Sequence, residues 1–344
     1  MAQRDPPTPE APLGVLSLFC GGGGLDLGFR TAGFETVLAI DSSSASVNTM
    51  NRNFGAETAI KADIRDIVPH VIEQELGSRG RAIPVGVIGG PPCQGFSNGN
   101  VTTHVGDVRN RLPIIYAHLV AALHDWSPLD FFVFENVTGL LRRRHANRYA
   151  GMLAVFRDAG FALLEREMDA ADFGVPQVRK RIFVIGFRDA AAAARFVWPQ
   201  AIVGKRVTVR ETISDLPAAT LFRRGMMASD VGFHENHWTM MPKSKRFADG
   251  QFNRWRSFRK LEWDTPSPTV AYGNREIHVH PDGQRRLSVY EAMLLQSFPR
   301  DYALCGNLSE QVTQVSNAVP PLLAGAIAAA IRVALTGSEK RAAA

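Results

Sequence analysis

Cysteine is scarce: Cys20, Cys93 and Cys305 are the only three in a chain of 344 residues. So few and so scattered, they offer neither a disulfide framework nor zinc-ligand spacing. They suit a reducing cytoplasm, where the protein is expected to work. No apolar run reaches the roughly eighteen residues of a membrane span. The stretch from Met1 to Pro12 is polar and proline-rich and lacks the apolar centre of a signal peptide, so export is not expected. Residues 1–12 read as a disordered tail. No internal repeat is present. His234, His237, His278 and His280 lack a further His or Cys at ligand spacing, so no metal is expected.

What is there is ordinary for a soluble globular protein: 45% hydrophobic and 21% charged residues. The length suffices for one large domain with an appendage, or for two domains. A net charge of +6 and a sequence pI near 9.5 favour a polyanionic partner.

Strand-like and helical stretches alternate through the first half. The run Leu13-Gly14-Val15-Leu16-Ser17-Leu18-Phe19 has strand length, and Cys20-Gly21-Gly22-Gly23-Gly24-Leu25-Asp26-Leu27-Gly28-Phe29 follows as glycine turn and helix. Glycines let backbone pass close to a ligand, and the helix start presents N–H groups. A second apolar run, Thr36 to Ile40, ends in Asp41. An acid about twenty residues beyond such a turn is placed to accept ribose hydroxyls. The pair reads as a site for a nucleotide-like ligand or as a structural turn, and the spacing favours the ligand. Ala62-Asp63-Ile64 adds an acid after a third strand.

A third landmark is Gly89-Gly90-Pro91-Pro92-Cys93-Gln94-Gly95-Phe96-Ser97, behind the strand-like Pro84 to Ile88. Two prolines stiffen the turn and hold it extended. Cys93 is then either a small buried thiol or a sulfur nucleophile held at a strand end. The segment from Gln94 to Arg111 is a long loop of the functional kind, followed by a helix over Leu112 to Leu123. Phe131 to Phe134 ends in Glu135-Asn136-Val137, and Arg142-Arg143-Arg144 follows as a solvated basic turn or a nucleic-acid contact. Helix is expected over 149–160 and strand over 161–167. Arg179 and Arg181 alternate onto one face of an extended segment and suit phosphate or base-oxygen contacts.

From about Arg195 the alternation fades. Basic residues including Arg223, Arg224, Lys243, Lys245, Arg254, Arg256, Arg259 and Lys260 are interleaved with Trp238, Phe247, Phe252, Trp255, Phe258 and Trp263. That mixture reads as a nucleic-acid surface or as a small domain with ordinary aromatic packing. Ser288 with Glu291 forms a capping box for a helix that ends before Pro299. An Ala-rich helix over Leu322 to Leu335 is expected to pack on the main sheet.

Taken together, these motifs resemble the bacterial-type DNA (cytosine-5)-methyltransferases, in that family's order and spacing. The carriers are the Phe19-to-Gly24 turn, Asp41, Asp63-Ile64, Pro-Pro-Cys93-Gln94, Glu135-Asn136-Val137, Gln177-x-Arg179-x-Arg181, the 286–299 helix and Gln314-x-x-Asn317-x-Val319-Pro320. Ser17, Asp41 and Ser316 depart from commoner residues without removing a chemical function. The resemblance implies an α/β, Rossmann-like S-adenosylmethionine-dependent methyltransferase domain over 13–194 and a smaller, irregular target-recognition domain over 195–280. A hinge and connecting helix over 281–310 and a C-terminal segment, 311–344, packing back on the large domain complete the organisation.

The same resemblance implies roles. Cys93 would add to C6 of cytosine, Glu135 would donate to N3, and Arg181 would hold O2 with Arg179 bracing the site. S-adenosylmethionine would lie against Phe19, Gly21, Gly23, Leu25, Asp41, Asp63, Ile64, Pro92, Leu112, Asn317 and Val319. Asp41 would take the ribose and Asp63 the adenine amino group. Double-stranded DNA would meet Gln94, Ser97, Gln177, Arg142, Arg143, Lys243, Lys245, Arg254 and Arg256. The protein is expected to act as a monomer, with a restriction endonuclease as a possible companion on the same DNA site. Competing readings are a tRNA methyltransferase with the same motifs and a non-catalytic DNA-binding relative. A nicotinamide dehydrogenase leaves the Pro-Pro-Cys and Gln-x-Arg-x-Arg segments unexplained.

Overall fold

The computed structural model describes residues 12–92, 111–253, 258–269 and 277–337. Contacts divide the chain into two units. Unit 1 comprises Met1–Met168, Lys180–Gln200 and Ala324–Ala344; unit 2 comprises Asp169–Arg179 and Ala201–Leu323.

Unit 1 begins β1 (Leu13–Leu18), α1 (Gly24–Thr31), β2 (Phe34–Asp41), α2 (Ser44–Phe54), β3 (Ala59–Lys61), α3 (Pro69–Ser78) and β4 (Gly86–Gly89). It continues α4 (Leu112–Trp126), β5 (Phe131–Val137), α5 (Ala146–Asp158), β6 (Ala162–Asp169), β7 (Lys180–Phe187) and α6 (Ala190–Arg195). The strands form one seven-stranded sheet in the order β3-β2-β1-β4-β5-β7-β6. Strands β1 to β5 pair in parallel, and β7 runs antiparallel to β5. The central strands are buried on both faces, which is why they read as unbroken apolar runs. The edge strand β6 instead exposes Glu165, Arg166 and Glu167, charges that discourage edge pairing.

This topology is the doubly wound, Rossmann-like α/β arrangement. The chain order reverses between β1 and β4, and ligands in such sheets bind beyond the carboxyl ends of the strands at that point. Phe19, Asp41, Asp63, Pro91 and Glu135 all stand at or just past carboxyl ends of parallel strands. The C-terminal helix closes the fold against α1: a Cβ at Gly28 would lie 2.3 Å from that of Ala324. Arg332 then donates to the carbonyls of Ala32 and Gly33, at 2.8 and 2.9 Å, beyond the end of α1.

Unit 2 has little regular structure. Its elements are α7 (Val209–Ile213), β8 (Thr220–Leu221), β9 (Trp238–Thr239), α8 (Lys245–Ala248), β10 (Phe258–Lys260), β11 (Ile277–Val279), α9 (Val289–Leu295) and α10 (Leu308–Asn317). The last helix, α11 (Pro321–Thr336), leaves unit 2 and runs into unit 1. Strands β8–β9 and β10–β11 form separate parallel pairs. Aromatic packing accounts for part of the interleaved pattern, since Phe247, Phe258, Ile277 and Val279 make a small core, while Phe222 and Phe233 remain exposed. The expected capping box is present at α9, where Ser288 and Glu291 bond each other's backbone N–H.

The contacts draw the line between the units differently from the bounds that the resemblance implies. Residues 169–179 group with unit 2 because Val178 N–H bonds the Ser267 carbonyl and Ser267 N–H bonds that of Pro176. Residues 281–323 also belong to unit 2, and 195–200 to unit 1.

Candidate active site

The glycine turn is a strained loop held at several points. Phe19, Gly21 and Gly23 all have left-handed backbone, with φ of 57°, 53° and 74°. Glycine adopts that region freely, whereas for a bulky residue such as Phe19 it is disfavoured. Asp41 braces the turn: Gly21 N–H donates to Oδ2 at 2.9 Å and Ser43 N–H to Oδ1 at 2.8 Å. Burial raises the Asp41 carboxyl above its ordinary value, with those N–H bonds opposing. Asp41 is only half-buried, so the acid can hold the turn and still be reached by a ligand. Among the described residues, a Cβ added at Gly21 would meet only the Phe19 carbonyl, at 3.9 Å, which leaves room next to the backbone.

Asp63 is engaged locally. It caps the short helical turn Ile64–Asp66 and pairs with Arg65 at 2.5 Å, which lowers its carboxyl to about 2. Ile64 is buried in the sheet core, and a half-buried Leu112 at the start of α4 packs against that core. Leu25 is buried, and Pro92 is half-buried.

At the ends of β4 and β5, in-register pairing of Gly89 with Phe134 sets the next residues of both strands side by side. Asn136 Nδ2 donates to the Pro91 carbonyl at 3.1 Å, which anchors the proline turn to β5. Glu135 is 6% exposed, and Arg181 Nε, from β7, stands 3.0 Å from its Oε1. Burial lowers the Arg181 guanidinium from its ordinary value, while Glu135 pulls it back up. The site depends on Gly90, where a Cβ would come within 2.7 Å of Glu135 Oε2. Cys93, Gln94, Ser97, Arg254 and Arg256 lie outside the described residues.

Arg142 and Arg143 are exposed on the turns that follow β5. In unit 2, Lys243, Lys245 and Asn317 are exposed and Val319 is buried. Two expectations change there. Gln177, expected at DNA, is fully buried, and its side chain donates to the Leu295 carbonyl at 3.4 Å. Its segment bridges to Ser267 instead of lying at a surface. Arg179 does not share a strand face with Arg181, because β7 starts only at Lys180. Arg179 is 1% exposed, its N–H bonds Asp169 Oδ1 at 2.9 Å, and its Nη2 donates to the Ser316 carbonyl at 3.0 Å. It braces unit 2.

Residues 13–332 match the family C-5 cytosine-specific DNA methylase. The chain belongs to that family. As a DNA cytosine-C5 methylase it is an enzyme that acts on DNA, and the family's methyl donor is S-adenosylmethionine. The type II methyltransferase M.FnuDI of Fusobacterium nucleatum is 31% identical over 352 residues, covering 95% of this chain and 96% of the relative. M.MthTI of Methanothermobacter thermautotrophicus, also a type II methyltransferase, is 32% identical over 346 residues, covering 94% and 98%. Among solved structures, a putative DNA modification methyltransferase encoded within an E. coli prophage superposes with a TM-score of 0.73 at 23% identity, covering 94% of this chain and 99% of that one. The S. pombe Dnmt2 methyltransferase gives 0.63 at 17%, covering 94% and 99%. Both likenesses establish a shared fold.

Three residues of this methylase escaped the sequence reading. Asn136 was legible only as part of a tripeptide, Gly90 only as a turn residue, and Asp26 not at all. A carboxylate inside an otherwise apolar helix start, as at Asp26, was the available signal.

Proposed function

We propose that the enzyme methylates cytosine C5 in duplex DNA through a covalent bond between Cys93 and C6. The observation that carries this reading is the buried Glu135–Arg181 pair beside a proline turn that Asn136 fastens to the same strand. A base inside a stacked duplex cannot reach such a site, so the target cytosine must be extruded.

The residues at the glycine turn fit S-adenosylmethionine: open space at Gly21, a braced acid at Asp41 and a helix start at Gly24. When bound, that molecule supplies an electrophilic methyl on a sulfonium and departs as the neutral thioether S-adenosylhomocysteine. The chain's own residues do the rest. The Cys93 thiolate attacks C6, and the electron pair of the C5–C6 double bond moves toward C5. Arg181, turning from Glu135 to the base oxygen O2, offsets negative charge on the ring. Glu135 donates a proton to N3 as the sulfur adds, so that the ring does not carry the full negative charge. After C5 has received the methyl group, loss of the C5 proton expels Cys93 and restores the aromatic ring.

Target choice belongs to residues 195–280 in this reading, where exposed basic and aromatic side chains fall outside the chemistry shared along the sheet. Phosphate contacts position DNA and base-edge contacts specify it. Two experiments test the proposal. DNA carrying 5-fluorocytosine at the methylated site, located by bisulfite sequencing, is expected to trap a complex stable to denaturant; absence of the adduct overturns the covalent route. Exchange of 195–280 for the same region of a relative is expected to move methylation to the donor's site; an active chimera that keeps the original site overturns the assignment of recognition.

A further inference from the structure

A second acid stands at the glycine turn. Asp26, in the first turn of α1, has no exposed surface. Ser17 Oγ, from β1, donates to Oδ2 at 3.0 Å, and Thr36 Oγ1, from β2, donates to Oδ1 at 2.9 Å. Both hydroxyls are themselves buried. One carboxylate therefore joins the helix to two adjacent strands of the sheet.

The position of the join matters. Ser17 precedes the strained Phe19 by two residues, and Asp26 follows the left-handed Gly23 by three. The Ser17–Asp26 bond thus closes the base of the loop that Asp41 also braces. Left-handed backbone at an aromatic residue persists only where its surroundings over-determine it. A carboxylate is an expensive tie: burial pushes Asp26 up to about 6, although both hydroxyl bonds, its backbone bond and the charge of Arg30 oppose the rise. Apolar residues at 17, 26 and 36 would fill the same space without that penalty. What they would lose is the fixed position of the turn.

We propose that Asp26 is a positioning residue for the cofactor turn, holding Phe19 to Gly23 in the shape that receives S-adenosylmethionine. The proposal rests on the reading of that turn as the cofactor site. It assigns Asp26 no contact with the cofactor and no part in proton transfer.

The test uses the full-length enzyme. Wild type, Asp26→Ala, Asp26→Asn and Ser17→Ala are compared by calorimetry with S-adenosylmethionine and by steady-state kinetics in both substrates. Asn keeps one acceptor and gains a donor that the hydroxyls can meet. Asp26→Ala is expected to raise the Kd and KM for S-adenosylmethionine by about tenfold or more, with kcat at saturation and KM for DNA within about twofold, because ties to a charged group are lost. Asp26→Asn restores most of the affinity, and Ser17→Ala weakens it a few-fold in a protein that keeps its second tie. Should Asp26→Ala not fold, Ser17→Ala and Thr36→Val carry the same measurement. Variants that melt earlier yet bind S-adenosylmethionine as wild type does overturn the proposal. Wild type that fails to bind S-adenosylmethionine overturns the cofactor reading beneath it.

Discussion

The two units obey different design rules. Unit 1 sets Asp41 and Glu135 at the ends of buried, parallel strands, so that pairing register fixes which side chains meet. Unit 2 has strands of two or three residues and leaves Phe222, Met227, Phe233, Met240 and Met241 exposed among basic residues. A rigid sheet suits chemistry that must be the same at every site. An irregular surface, built on a small core, suits contacts that must differ between enzymes. The comparison predicts that damage in unit 1 changes rate or cofactor affinity, and damage at the surface of unit 2 changes DNA binding.

The largest expected effect is at the nucleophile. Cys93→Ser is expected to lower kcat by about 10⁴-fold or more, as removal of a nucleophile does. Its affinity for S-adenosylmethionine stays at the wild-type value, because the glycine turn is built from other strands. Methyl transfer from tritiated cofactor and calorimetry read the two quantities. Wild-type turnover by the serine variant contradicts a covalent mechanism.

Next come the groups around Glu135. Glu135→Gln is expected to reduce kcat by about 10²–10⁴, the usual range for losing a positioned acid. Melting should also shift down, since Arg181 is left buried without its carboxylate. Gly90→Ala sharpens the point without touching either charge. Its methyl would press on Glu135 Oε2, and overpacking costs about 1–3 kcal/mol. A kcat loss of about tenfold at unchanged DNA affinity is expected. If DNA affinity falls and kcat does not, Glu135 is not where the chemistry occurs.

Much of this contrast was already visible in the chain. Buried parallel strands announce themselves as apolar runs, and β1, β2, β4 and β5 lie where those runs predict. Acids at strand ends were equally readable, because Asp41 and Glu135 each interrupt such a run at its last residues. Contacts that depend on pairing register were not readable. Asn136 meets Pro91 only because β4 and β5 align Gly89 with Phe134. Asp26 meets Thr36 only because β2 lies beside β1. Alternation failed at Arg179, since it applies inside a strand and Arg179 precedes β7. In unit 2 the periodicity fades, and short pieces such as α7 and α8 give no pattern long enough to separate from chance.

A smaller effect separates cofactor binding from chemistry within unit 1. Asp41→Ala removes a carboxylate that accepts from Gly21 and Ser43. Hydrogen bonds to a charged group contribute about 1.5–3 kcal/mol. The Kd for S-adenosylmethionine is expected to rise by about 10- to 150-fold, with turnover at saturating cofactor much less affected. Unchanged affinity by calorimetry removes Asp41 from the cofactor site.

The smallest effect concerns unit 2, and it tells positioning contacts from reading contacts. Lys243 and Lys245 flank Ser244, the N-cap of α8, and both are exposed. Lysine is a point charge on a flexible stem, better suited to a phosphate than to the fixed geometry of a base edge. A phosphate contact contributes through counterion release, which is blind to sequence. Lys243→Ala and Lys245→Ala are therefore each expected to weaken binding to cognate and unrelated duplexes by the same factor. Each should also reduce the slope of log affinity against log salt by about one unit. Competition binding across a salt series measures both. A substitution that relaxes discrimination at one base pair while leaving the slope intact moves that lysine to the group that reads sequence. It would also show that the reading surface extends into α8, because specificity lost at one position is the signature of a contact to a base edge.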